Sequence, residues 1–103
     1  MASAVKREIR FTADAVADLD SIAAYTGEQF GRAQEDRYRQ DLRRVTELLL
    51  TFPMMGSDQE HIAPGLRRHV HASHAIYYSE HDFGILVERI LGPGMDPTRE
   101  FDS

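Results

Sequence analysis

Apolar residues recur at two periods along this chain, and the change of period divides it into a helical first half and an extended second half. Ile9 and Phe11 alternate with polar neighbours in Glu8–Phe11, the pattern of a strand with one buried face. Val16, Leu19, Ile22, Ala23 and Phe30 follow at three- and four-residue spacing, while Asp14, Asp18, Asp20 and Glu28 fall mostly off that stripe. The spacing predicts an amphipathic helix from about residue 13 to residue 29. Thr12 is its N-cap, and Asp14 sits in the first turn, where the helix dipole favours negative charge. Gly31 is the natural stop, in a left-handed cap position. A second helix starts near Arg32, because Tyr38, Leu42, Val45, Leu49 and Phe52 step by 4, 3, 4 and 3. Pro53 ends it, since the residue before a proline avoids helical geometry. Two helices with almost no loop between them make an αα-hairpin. The first carries four acids and no base, and the second carries Arg32, Arg37, Arg39, Arg43 and Arg44. Opposite charges across the hairpin help its register, at ~0–1 kcal/mol per exposed pair.

Gly56, Ser57, Asp58, Pro64 and Gly65 mark Met54–Gly65 as a loop. Three strands follow. Leu66, Arg68 and Val70 alternate with Arg67, His69 and His71, and Ala75–Ser79 is β-branched and aromatic. A hairpin turn at His81–Gly84 leads into Ile85–Leu91, apolar apart from Glu88 and Arg89, as a central, well-covered strand should be. Gly92, Pro93 and Gly94 break that strand, and Met95–Phe101 forms either one helical turn or an extended tail. The order β-α-α-β-β-β predicts an α+β fold, a helical hairpin packed on one side of a small, mostly antiparallel sheet.

The 103 residues form one domain spanning 1–103, and 42% hydrophobic with 28% charged residues marks a folded chain rather than a disordered one. The absence of cysteine excludes a disulfide framework, a thiol nucleophile and iron–sulfur or zinc-finger sites. Lys+Arg is 12 against 17 Asp+Glu, and a net charge of −5 makes a poor non-specific nucleic-acid binder. Lys6 is the single lysine, so Schiff-base chemistry is nearly excluded. The arginines suit forked contacts at a protein interface, or reflect the codon usage of a GC-rich genome. No apolar stretch follows Lys6 and Arg7, as a signal peptide would require. Apolar runs such as Leu48–Leu50 are far short of the roughly 20 residues of a membrane span. A cytoplasmic location is therefore expected. His69 and His71 share a strand face and lie near His74, but without HExxH or cysteine they read as a solvated, pH-sensitive face rather than a metal site. Tyr25, Tyr38, Tyr77 and Tyr78 read as core or groove aromatics.

Several strings, in order and at consistent spacing, carry a resemblance. They are Ala17-Asp18-Leu19-Asp20-Ser21-Ile22 with Tyr25, Phe30-Gly31, Ala33, Tyr38 with Leu42, and Phe52-Pro53-Met54-Met55-Gly56. Gly65-Leu66-Arg67-Arg68, His74-Ala75-Ile76-Tyr77-Tyr78, Arg89-Ile90-Leu91, Met95-Asp96 and Arg99 complete the set. From about Phe11 to Phe101 the chain resembles the ParE branch of the ParE/RelE toxin superfamily. That resemblance implies the same β-α-α-β-β-β fold and a toxin of a type II toxin–antitoxin system that stalls DNA gyrase on cleaved DNA. It implies a ParD-type antitoxin partner in a hetero-oligomer, a role in plasmid maintenance or stress response, and no cofactor. It places target contacts for gyrase at Arg89, Met95, Asp96 and Arg99, and antitoxin contacts at Tyr38, Arg67 and Arg68. One position departs from the pattern: Gly92, followed by Pro93, stands where related toxins usually carry a histidine, within the region to which toxicity is ascribed.

Two alternatives remain. The RelE-like branch cuts messenger RNA on the ribosome, which needs a base, an acid and cations for the phosphate. Arg67, Arg68 and Arg89 are cations, but no lysine follows Lys6 and no tyrosine or histidine follows His81 to act as the acid–base partner. A decayed, non-toxic member that still binds its antitoxin is the other, motivated by Gly92-Pro93.

Overall fold

The computed structural model describes residues 6–102. Its elements are β1 (Glu8–Phe11), α1 (Ala13–Phe30), α2 (Arg32–Thr51), β2 (Ser57–Asp58), β3 (Leu66–His71), β4 (His74–His81), β5 (Gly84–Leu91) and α3 (Pro97–Phe101). The sheet order is β1-β5-β4-β3-β2, with β1 parallel to β5 and the other three pairings antiparallel. The expected α+β arrangement is therefore the observed one, with two additions. A two-residue strand, β2, lies inside the expected loop, and the tail closes as the short helix α3.

Thr12 joins the helical layer to the sheet. Its Oγ1 accepts from Ala15 N at 3.0 Å, capping α1, and donates to the Glu88 carbonyl at 2.7 Å. One side chain thus fixes both the start of α1 and its position over β5. Between the hairpin and the sheet lies the main core, built on Leu42, Leu49, Ile76, Tyr78, Ile85, Val87 and Ile90, with Ile9, Phe11, Leu19 and Ile22 against it. The opposite face is covered as well: Leu66, Tyr77 and Leu91 pack with Ile62, Ala63 and Phe101. Cover on both faces accounts for the nearly unbroken apolar run of β5.

The apolar stripes of both helices run past the sheet they pack on. Val16 at the start of α1, and Phe30 and Phe52 at the helix ends, are exposed. Thr46, one turn from Leu42 and Leu49, is buried instead, with its hydroxyl donating to the Arg43 carbonyl at 2.9 Å. Of the charges expected to face across the hairpin, Arg39 meets Asp20 at 3.4 Å, whereas Asp18 turns to the sheet.

A β-bulge sits opposite Tyr77 and Tyr78, whose partners on β5 are Arg89 and Val87, so that Glu88 is the extra residue. The insertion keeps both Val87 and Ile90 in the main core. It also turns Arg89 to meet Asp18 of α1 and Glu100 of α3.

Candidate functional site

β1 ends at Phe11, opposite Val87, although β5 continues to Leu91. Beyond that point β5 would present unpaired backbone groups. Thr12 N takes the Val87 carbonyl at 3.0 Å, Thr12 Oγ1 takes that of Glu88, and the Asp18 carboxylate accepts from Ile90 N at 2.9 Å. The same carboxylate receives the Arg89 fork, Nε at 2.8 Å and Nη2 at 2.9 Å, across 71 residues of sequence. Arg89 Nη1 then reaches the Glu100 carboxylate at 3.2 Å and the Glu100 carbonyl at 3.4 Å. The Arg89 and Asp18 side chains are 16% and 13% exposed, so this is a shielded pair. The Asp18 hydrogen bond, outweighing burial, makes the Arg89 guanidinium hold its proton even more firmly than usual.

The C-terminal segment lies on the far side of Arg89. Asp96 N-caps α3 by accepting from Thr98 N at 3.0 Å, with Pro97 opening the helix. Phe101 stands edge-on to Tyr77 with ring centroids 5.4 Å apart. A turn formed by Met95 N to the Gly92 carbonyl, 3.2 Å, joins this segment to β5. Of the residues expected to contact a target, Met95, Asp96 and Arg99 are together and exposed, while the Arg89 guanidinium is committed inward.

An apolar groove of about 610 Å³ opens between the helical hairpin and the β3–β4 turn, lined by Ile22, Tyr25, Thr26, Phe30, Tyr38 and His74 among others. At its floor the Tyr38 ring meets that of His74 edge-on, centroids 5.9 Å apart. The Tyr38 hydroxyl and His74 Nδ1 are buried, and neither has a hydrogen-bond partner among the described residues. Burial pushes the Tyr38 hydroxyl up to about 12. Burial first, and then the charge of His71, lowers both His69 and His74 below the ordinary 6.5. A histidine whose folded pKa lies below its unfolded value takes up protons more readily when unfolded. The stability it supports is complete above the unfolded value and falls as pH drops through the interval beneath it. Melting temperature should therefore decline between pH 7.5 and pH 5 more steeply than in His74→Gln, a difference that thermal scans across that range will read.

Arg67 and Arg68, adjacent on β3, serve opposite faces. Arg67 Nη1 donates to the Gly56 carbonyl at 2.6 Å. The Tyr78 hydroxyl accepts from Gly56 N and donates to the Pro53 carbonyl, both at 2.8 Å. The Phe52–Gly56 string is thus held to the sheet by two side chains from other strings in the resemblance. Tyr78→Phe should cost about 1–3 kcal/mol, because it leaves a buried N–H of Gly56 without its acceptor; urea unfolding measures it. Arg68 lines a second pocket of about 350 Å³ on the α3 side, with Gln59, Tyr77, Met95 and Pro97. It therefore lies with the tail rather than with Tyr38. Ser73, His74 and Pro93 border both pockets, so the Gly92–Gly94 turn forms the wall between them. A Cβ at Gly92 would meet the His74 ring at 3.6 Å, an ordinary contact, so an imidazole already lies beside the position where the resemblance leads one to expect a histidine.

Among the described residues no three His, Asp or Glu side chains gather to hold a metal ion, and no helix is long and apolar enough to cross a membrane.

The family model described as the ParE toxin of type II toxin-antitoxin system, parDE, matches residues 9–97. Toxin ParE1 of Caulobacter vibrioides is 33% identical over 89 residues, which span 84% of this chain and 90% of that protein. A solved structure of the chromosomal ParDE TA system from P. aeruginosa matches with a TM-score of 0.69 at 20% identity, covering 86% of this chain and 98% of that one. Fold and sequence together define a toxin-class protein of type II toxin–antitoxin systems. The chain belongs to the ParE toxin family.

Proposed function

We propose that this chain, working as a single cytoplasmic domain, inhibits DNA gyrase by binding and is held inactive by a ParD-type antitoxin, in a gene pair that serves plasmid maintenance. Membership of the ParE family supports this, and the residue placement that supports it most is the tail. Met95, Asp96 and Arg99 are exposed, Arg99 on α3 and the other two just before it, and Phe101 of that helix packs on Tyr77 of the sheet. Two of the three cations that RNA cleavage could use are otherwise engaged: Arg67 on backbone carbonyls, Arg89 on Asp18 and Glu100. In a supercoiling reaction the purified chain should inhibit gyrase or trap cleaved DNA; no effect at saturating toxin refutes the assignment, and ribosome-dependent RNA cleavage becomes the next assay.

The antitoxin is proposed to lie along the hairpin and the adjoining sheet, with Tyr38 and Arg67 on the side it covers and Arg68 at its margin. Tyr38 carries the case: its buried hydroxyl, like His74 Nδ1 beside it, has no partner among the described residues, and a polar atom from an inserted segment can satisfy it. Tyr38→Ala should weaken antitoxin binding about tenfold or more, the effect of losing a well-packed aromatic contact, as read by titration of the folded variant.

A further inference from the structure

We infer that Arg89 is a positioning residue: it fixes α3 and the preceding turn on the sheet, so that Met95 and Arg99 meet the target in one orientation. This deepens the target-binding role proposed above and rests on it. The five residues of α3 are far fewer than the roughly 12–15 an isolated helix needs in water. None of them is buried, so the shape of the segment depends on its anchors. Two anchors come from the rest of the chain, the Phe101 ring on Tyr77 and the Arg89 fork on Glu100.

Asp18 sets the orientation of the fork. Asp18 takes Nε and Nη2 at 2.8 and 2.9 Å, leaving Nη1 aimed at Glu100 at the longer distance of 3.2 Å. Asp18 is the firm partner and the tail the weaker one. Lysine, with a single rotating ammonium, cannot hold both carboxylates in this way. Arg89 and Asp18 are shielded, so neither is free to reach a target, whereas Met95 is 42% exposed and Arg99 lies open to solvent.

The test compares Arg89→Lys, Glu100→Ala and Arg99→Ala in the full chain. One readout is amide exchange at Glu100 and Asp102, whose N–H groups close α3 on Asp96 and Arg99. The other is the potency of growth arrest on induction, which holds whatever the target is. Arg89→Lys and Glu100→Ala should raise exchange about tenfold, the factor that one lost charge-assisted hydrogen bond allows, and should weaken the arrest. Arg99→Ala should weaken the arrest and leave exchange unchanged. Unchanged exchange in the first two variants overturns the inference, and so does raised exchange with undiminished arrest. A wild-type chain that arrests nothing overturns it as well. If Glu100→Ala weakens the arrest while wild type leaves gyrase untouched, the gyrase assignment falls and the positioning role stands.

Discussion

Asp18→Ala should destabilise the chain by about 3 kcal/mol, the lower end of what is lost when one partner of a buried ion pair is removed. The lower end applies because Arg89 and Asp18 keep 16% and 13% of their side-chain surface exposed, and water can partly solvate the orphaned guanidinium. Two effects add. Arg89 loses both hydrogen bonds of its fork, retaining Glu100 as a more distant acceptor. Ile90 N loses its acceptor at the place where β1 no longer runs alongside β5. For a chain of this size the change corresponds to a melting temperature lower by roughly 12 °C or more. Asp18→Asn should fall between wild type and alanine, since its amide oxygen can still accept from Ile90 N while the charge is gone. The control is Asp20→Ala two residues on. Its pair with Arg39 is 63% and 41% exposed, so its removal should change stability by less than ~1 kcal/mol. Guanidinium unfolding of the three variants measures the series, and equal effects at Asp18 and Asp20 would show that the pair is not shielded.

The contrast between those neighbouring aspartates marks where sequence reading stops. Both fall off the apolar stripe of α1, and periodicity assigns both to a solvated face. What separates them is the point at which β1 ends against β5, a matter of register between segments more than seventy residues apart. Each of the meeting residues does lie in a string of the family resemblance, Asp18 in the first helix and Arg89 in the last strand, but a string shows no contact. Glu100 lay outside those strings. The bulge was not legible, because β5 is apolar on both faces and the change of phase between Val87 and Ile90 shows only once the core is known. The elements themselves were legible because their signals are local. Thr12, Gly31 and Pro53 bracket two helices, and β3, as a strand, puts successive side chains on opposite faces. That alternation also separates Arg67 from Arg68, although the resemblance groups them at one interface. Exposure of Phe30 and Phe52 was not legible, because a stripe does not say how far the sheet beneath it extends. The pairing of Tyr38 with His74 was hidden for the same reason as the Asp18 contact, since it depends on how the hairpin sits over the β3–β4 turn.

Gly84→Ala should be the most damaging of the conservative glycine substitutions, at about 2–4 kcal/mol. Gly84 opens β5 at φ 139° and lies opposite Glu8 in the parallel pair. A Cβ there would collide with the Glu8 carbonyl oxygen and stand 2.7 Å from its nitrogen, both backbone atoms that cannot rotate aside. The first pair of the ladder must open, together with the 2.7 Å bond from Glu8 N to the Phe83 carbonyl. Strain at that corner passes along a four-residue strand that delivers Ile9 and Phe11 to the core and ends at Thr12, the cap of α1. Gly31 and Gly65 provide the comparison. Each has positive φ, 92° and 75°, but nothing lies within 4 Å of an added Cβ. Alanine at either should cost only the backbone strain, about 1 kcal/mol. Urea midpoints of the three alanine variants test the order. An effect at Gly84 no larger than at Gly31 would mean that β1 moves aside freely. The ParE fold would then owe little to its first strand, and the Thr12 cap would be held by Val87, Glu88 and the helix.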